Sequence, residues 1–253
     1  EMPTHWLLYI AVDNVDQSTE LAKSLGATVL AGPHDVMTAG RMVMLQEPGG
    51  ATFALWQAGE HIGAKRVQEL NLPYWFELVS KDMQKSRDFY CQLFGWQFEV
   101  KPMEGMDYIL FTIDEQPIAG MLEMTNEWPD DIPPHWMPYF AVADCDQAVA
   151  KATQLNGVIC VPATDIPDVG RFSVITDPQG AVFSILKSTI DELTTLAQQH
   201  GAKGLAYIVV EKDGNLKSPI LKFLGDDLAK QLIEHGNVKR GRLGVLVQNI
   251  TPD

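Results

Sequence analysis

The sequence predicts an α+β fold in which βαβββ modules repeat along the chain and a small α/β segment follows them. Three observations predict it. Residues 5–57 superimpose without a gap on residues 135–187 at an offset of 130, with roughly three positions in ten identical. The stretch between the two copies has the same order of apolar runs but different residues. The charge balance then breaks near Ser188: the first 187 residues carry 11 basic and 25 acidic residues, the whole of the net charge of −14, whereas residues 188–253 carry 8 of each. A fixed repeat of this kind marks one supersecondary unit used more than once.

Each copy reads the same way. An apolar run at 7–12 (137–142) ends in an Asp-bearing turn, as a strand does. Residues 16–25 (146–155) place Ala22 and Leu25 at helical spacing, with Gly26 as the stop in the first copy. Short β-rich runs follow at 28–30 and 41–46, and then, after the turn Glu47-Pro48-Gly49-Gly50, at 51–56. In the middle segment a strand is predicted at 74–79. A helix from Asp82 places Met83, Phe89, Tyr90, Leu93 and Phe94 on one face and closes at Gly95. Strands at 97–100, 108–113 and 118–123 complete it. With the middle module as type A and the copies as type B, the order is B, A, B and then a different segment. The expected divisions are an unpaired module at 1–60, a two-module domain at 61–187 and a small α/β domain at 188–253.

Composition excludes several function classes. A chain that is 46% hydrophobic buries a core without staples. Three cysteines, odd in number and without a C-x-x-C pair, exclude a disulfide framework and a zinc ribbon, and fit a reducing, cytoplasmic setting. No apolar stretch approaches about 18 residues, and the opening residues lack a basic region followed by an apolar run, so neither a membrane span nor a secretory leader is expected. The net negative charge opposes binding to nucleic acid or to an anionic membrane. Nucleophile elbows, phosphate-binding loops, dinucleotide fingerprints and H-E-x-x-H are absent.

Two signatures carry a family resemblance. Asp82-Met-x-x-Ser-x-x-Phe-Tyr-x-x-Leu-Phe-Gly-Trp96 resembles the first-module helix of the vicinal-oxygen-chelate superfamily, which includes glyoxalase I, bleomycin-resistance proteins and extradiol dioxygenases. Asp177-Pro-x-Gly-x-x-Phe183, echoed at Glu47–Phe53, resembles that family's turn into the last strand of a module. The resemblance covers about residues 5–187 and is similar to tandem glyoxalase-like proteins that lack their first module. It implies that paired modules curl into a cup that holds a ligand. It also implies four metal ligands in the cup, from the first and last strand of each module. Carried over, those positions fall on Trp75, Met137, Ser184 and either Met121 or, with a slip of two, Glu123; in the first B copy they fall on Leu7 and Ala54. Indole, thioether and aliphatic side chains do not replace carboxylate or imidazole on a divalent ion. No metal and no other cofactor is therefore expected.

Period-2 alternation puts Glu77 on the same strand face as Trp75, toward the cup. A carboxylate there must pair or take a raised pKa. Glu77 and Glu123 are thus the candidate catalytic residues; in the plainer reading, Glu77 only organises its module. The candidate ligand lining is Trp75, Glu77, Tyr108, Phe111, Met137, Tyr139, Phe183 and Ser184, with ordinary aromatic core as the alternative for its rings. Arg41 and Arg171 are read as local ion-pair residues or as anchors for an anionic ligand.

The last segment resembles part of the insertion domain of bacterial aspartyl-tRNA synthetases from about residue 190, through Gly201-Ala-Lys-Gly-Leu-Ala206 and Lys217-Ser-Pro-Ile220. No synthetase catalytic motif accompanies it, and a helix–strand–helix–strand cap is expected. Two function classes follow: a metal-free protein that binds or sequesters a small molecule, in the manner of bleomycin-resistance proteins, or a glyoxalase-like metal-dependent lyase, isomerase or dioxygenase. The unpaired first module presents a concave apolar face, so a homodimer through residues 5–57 is the expected partner state.

Overall fold

The computed structural model describes residues 4–188, except 104, 127, 130, 131 and 168, together with residues 209–210 and 216–217. The first B module comprises β1 (Tyr9–Ala11), α1 (Val15–Ser24), β2 (Thr28–Val36), β3 (Gly40–Gln46) and β4 (Thr52–Ala58). The A module comprises β5 (Pro73–Ser80), α2 (Met83–Phe94), β6 (Gln97–Met103), β7 (Met106–Ile113) and β8 (Gln116–Glu123). The second B module comprises β9 (His135–Ala141), α3 (Cys145–Gln154), β10 (Val158–Ile166), β11 (Gly170–Thr176) and β12 (Val182–Ser188). Two short strands, β13 (Val209–Val210) and β14 (Leu216–Lys217), pair antiparallel; the rest of the expected cap lies outside the described residues. The chain forms two compact units, Glu1–Thr189 and Ile190–Asp253.

Each helix starts where a side chain accepts from an early backbone N–H: Asn14 from Gln17, Asp82 from Lys85 and Asp144 from Gln147, all at 2.9–3.0 Å. Gly95 closes α2 in the left-handed region at φ 70°. The strands β2 and β10 run farther than their β-rich starts indicate. In β2 a register shift between Ala31 and His34 carries the ladder past Pro33, which cannot donate to it, as far as Val36. Arg41 grips Asp16 and Asp35, and Arg171 repeats the clamp on Asp146 and Asp165. These arginines pin the starts of α1 and α3 to the neighbouring hairpins.

Two sheets result, ordered β1-β4-β3-β2 and β10-β11-β12-β9-β5-β8-β7-β6. The second is two modules joined through their first strands, β5 antiparallel to β9, with Trp75 opposite Tyr139, Phe76 opposite Pro138 and Glu77 opposite Met137. The first B module packs its helix-covered face on that of the A module. Val15, Ala22, Val43, Leu45, Phe53 and Leu55 share one core with Leu78, Phe89, Tyr90, Phe111 and Met121. Phe53 lies 5.4–6.4 Å from the rings of Phe89, Tyr90 and Phe94.

A buried carboxylate locks the same joint. Glu47 accepts from the Gly49 and Ala51 amides and from the Ser86 hydroxyl on α2, which also meets Ser80. Burial pushes the Glu47 carboxyl above its ordinary value against these donors. Its counterpart Asp177, one methylene shorter, accepts from the Gln179 and Ala181 amides. Glu47→Asp is therefore expected to keep the turn, lose Ser86 and cost about 1 kcal/mol, while Glu47→Ala orphans the Gly49 and Ala51 amides, leaves Ser86 only Ser80 and costs about 2–3 kcal/mol. Equal losses in urea unfolding would contradict this account of the joint.

Candidate functional site

Strand parity builds the site. On β5, Trp75 and Glu77 face away from α2; on β9, Met137 and Tyr139 face the same way and pack with Leu186, Tyr74, Phe172 and Val174. Tyr139 donates to Glu77 Oε1 at 2.7 Å and Tyr108 to Oε2 at 2.7 Å. The Trp75 indole N–H donates to the Tyr108 oxygen at 3.1 Å. Both modules thus meet on one carboxyl group, 7% exposed. Burial raises the Glu77 pKa, the two phenol donors oppose that rise, and no charged side chain acts on it among the described residues. The phenols of Tyr108 and Tyr139 are pushed well up, first by burial and then by the Glu77 charge. Ser184 stands opposite Tyr139 in the ladder. Its hydroxyl is fully buried and has no partner of hydrogen-bonding geometry among the described residues, though it is close enough to bear on the Tyr139 phenol.

Gly120 makes the arrangement possible. It lies opposite Glu77 on β8, and a Cβ there would sit 1.7 Å from the Tyr108 hydroxyl and 3.0 Å from the Trp75 indole nitrogen. The register also assigns its equivalence. Glu77 and Tyr139 each lie six residues before their helix, at Met83 and Cys145, and pair in parallel with Gly120 and Ser184 respectively. Gly120 is therefore the counterpart of Ser184. This corrects the expectation that placed the fourth position on Met121 or Glu123. Met121 is fully buried in the core beneath α2. Glu123, at the end of β8, is exposed in a surface cleft of about 390 Å³ with Lys81, Met124, Asn126 and Trp128, away from Glu77.

Two other expected lining residues are also corrected. Phe111 points into the core, 5.4 Å from the Trp96 ring and 6.1 Å from that of Tyr90. Phe183 packs on the α3 side with Ile185 and Cys145. Each lies an odd number of residues from a cup-facing neighbour, Tyr108 or Ser184, so neither shares its face. Arg41 and Arg171 are held in their local ion pairs. Gly120 was missed, although a glycine inside an apolar strand marks a close approach by another group.

The four positions that would hold a metal are thus Trp75, Gly120, Met137 and Ser184. An indole N–H is a donor only, glycine offers nothing, and a thioether and a neutral hydroxyl do not make a divalent site of the carboxylate–imidazole kind. The nearby carboxylate, Glu77, has both oxygens taken by phenols. These residues do not fit a chelated ion. What they form is a buried hydrogen-bonded cluster of one carboxyl, two phenols and an indole.

Comparison with known proteins agrees with this architecture. The family model described as the Glyoxalase/Bleomycin resistance protein/Dioxygenase superfamily matches residues 73–185. CFP32 of Mycobacterium tuberculosis, which carries a provisional glyoxylase name, is 37% identical over 187 residues, 74% of this chain and 70% of that protein. Anthracycline biosynthesis protein DnrV of Streptomyces peucetius is 34% identical over 186 residues, 74% of this chain and 66% of that protein. The chain belongs to the glyoxalase/bleomycin resistance protein/dioxygenase superfamily. The GAD domain model matches residues 169–249, reaching back into β11 rather than beginning near 190. In the same region the aspartate–tRNA(Asp/Asn) ligase of Ruthia magnifica is 45% identical over 74 residues, 29% of this chain and 12% of that ligase. Among the described residues no helix is long and apolar enough to cross a membrane.

Proposed function

We propose that residues 61–187 form a metal-free cup that binds or sequesters a small molecule, and that the chain does so in the cytoplasm as a homodimer through residues 5–57. One observation carries the reading: the chelate positions hold Trp75, Gly120, Met137 and Ser184, while Glu77 and Tyr139 from the two modules meet beside them. The cluster holds a carboxyl, phenols, an indole and the buried Ser184 hydroxyl, and no cation among the described residues. That set suits an uncharged, planar molecule with hydroxyl or carbonyl groups. The name of the Streptomyces relative makes aromatic polycycles the first class to screen.

The test is elemental analysis of protein purified from metal-supplemented culture, together with thermal shift. Zinc, nickel, iron and manganese are expected at well below one equivalent and are expected to leave Tm unchanged. A fitting aromatic ligand at 100 times its Kd adds about 2.7 kcal/mol of stability. Stoichiometric metal, or metal-dependent turnover of a hemithioacetal or a catechol, would replace this reading with the lyase, isomerase or dioxygenase one.

A further inference from the structure

A cleft lies outside the cup, at the carboxyl ends of β5 and β8. The two strands are parallel neighbours, with Ser80 opposite Glu123. Their connections part there: β5 turns at Asp82 into α2, whereas β8 runs on to β9 on the far side of β5. Where parallel neighbours send their connections apart, a crevice opens at their carboxyl ends, and ligands of open α/β sheets bind in such crevices. This one has a volume of about 390 Å³ and is lined by Lys81, Glu123, Met124, Thr125, Asn126 and Trp128. Small-molecule sites run from about 300 to 1,000 Å³.

Its walls are fixed by bonds of their own. The Met124 amide donates to the Ser80 carbonyl at 2.7 Å, and the Met124 side chain is buried, which gives the cleft an apolar floor. The Trp128 amide donates to the Thr125 carbonyl at 3.2 Å. The Trp128 ring stands 6.3 Å from that of His135, at the head of β9. Burial lowers the His135 pKa, and its Nδ1 meets the Pro133 carbonyl at 2.8 Å, so a neutral, fixed ring backs the indole. The charges set the cleft apart. Each arginine among the described residues is held in an ion pair. Lys81 and Glu123 are both exposed and, among the described residues, form an ion pair neither with each other nor with any other side chain. An ammonium and a carboxylate that share a cleft without closing on each other attract a molecule that carries both charges.

We propose that this cleft is a second binding site, for a zwitterionic α-amino acid with an aromatic side chain. Lys81 takes its carboxylate and Glu123 its ammonium, while Trp128 and Met124 receive its ring. Asn126 carries both donors and an acceptor and serves either end. The strand spacing selects the class. Lys81 and Glu123 leave neighbouring strands that lie roughly 5 Å apart, which suits two charges borne close together rather than at the ends of a long chain. Glu123 thereby has a binding role of its own, separate from Glu77 and the cup.

The test is calorimetric titration of the full chain with L-phenylalanine, 3-phenylpropanoate and phenethylamine. The three share a ring and carry both charges, the anion alone or the cation alone. L-Phenylalanine is expected to bind with a dissociation constant of about 1 mM or below, at least tenfold tighter than either analogue. Lys81→Met and Glu123→Gln, both at exposed positions, are each expected to remove that advantage and to leave Tm unchanged. Exchanging the two charges, Lys81→Glu with Glu123→Lys, is expected to restore binding of L-phenylalanine. Absence of binding at about 10 mM, equal affinity for the three probes, or a preference that survives both single substitutions overturns the site. An exchanged variant that binds as weakly as the single ones overturns the assignment of the two charges to the ligand.

Discussion

Glu77→Ala is expected to cost about 3 kcal/mol, or roughly 6–12 °C in Tm for a unit of this size, because it strands the Tyr108 and Tyr139 hydroxyls without their acceptor. Glu77→Gln keeps a polar partner for both and is expected to cost far less. The pair also separates bonding from charge. Burial raises the folded pKa of Glu77 above the ordinary carboxylate value, so the folded state holds its proton more tightly than the unfolded chain does. Its contribution is therefore favourable below the unfolded value and is lost as pH rises through the folded one. Urea unfolding between pH 4.5 and 8 is expected to show a fall in stability that Glu77→Gln reduces. Glu47→Gln should remove a further part, because burial shifts Glu47 in the same direction. An unchanged pH slope in Glu77→Gln would mean that this carboxyl is not held as described.

The second large effect is expected at Gly120. The methyl of Gly120→Ala occupies the place of the Tyr108 hydroxyl, 1.7 Å away, and the ring must swing off Glu77 to admit it. Overpacking and the two broken hydrogen bonds together are expected to cost about 3 kcal/mol and to abolish ligand-induced stabilisation. Adding Tyr108→Ala to Gly120→Ala removes the clash with the hydroxyl but also both hydrogen bonds and the ring's packing, so the double variant is expected to recover neither stability nor binding. A Gly120→Ala protein within 0.5 kcal/mol of the parent would show that Tyr108 has another place to go.

Much of this was legible because it is periodic. The repeat register, the module order and the shared face of Trp75 and Glu77 all follow from spacing along one strand. Register between strands does not. The β7–β8 ladder slips between Phe111 and Thr112, so counting from a motif along the chain lands on Met121 or Glu123 and passes over Gly120. Aromatic content misled in a different way. Residue type groups Phe111 and Phe183 with Tyr108 and Tyr139, although their parity sends them to the helix side. The Glu47–Ser86 contact was hidden because both ends read as local features, a turn and a helix face, and only the packing of two modules brings them together.

That packing separates inheritance from cooperativity. The unit that was copied is a βαβββ module, and its boundary falls between residues 57 and 73. The unit that melts is a different one, because Phe53 of one module fills the space between Phe89, Tyr90 and Phe94 of the next. A polypeptide started at residue 61 would turn those three rings to water, and one ended at residue 60 would do the same with Val43, Leu45, Phe53 and Leu55. Exposed apolar faces of that kind drive association rather than folding. Residues 1–189 are therefore expected to unfold in a single transition, and a cut at the duplication boundary to yield two sticky fragments instead of two domains.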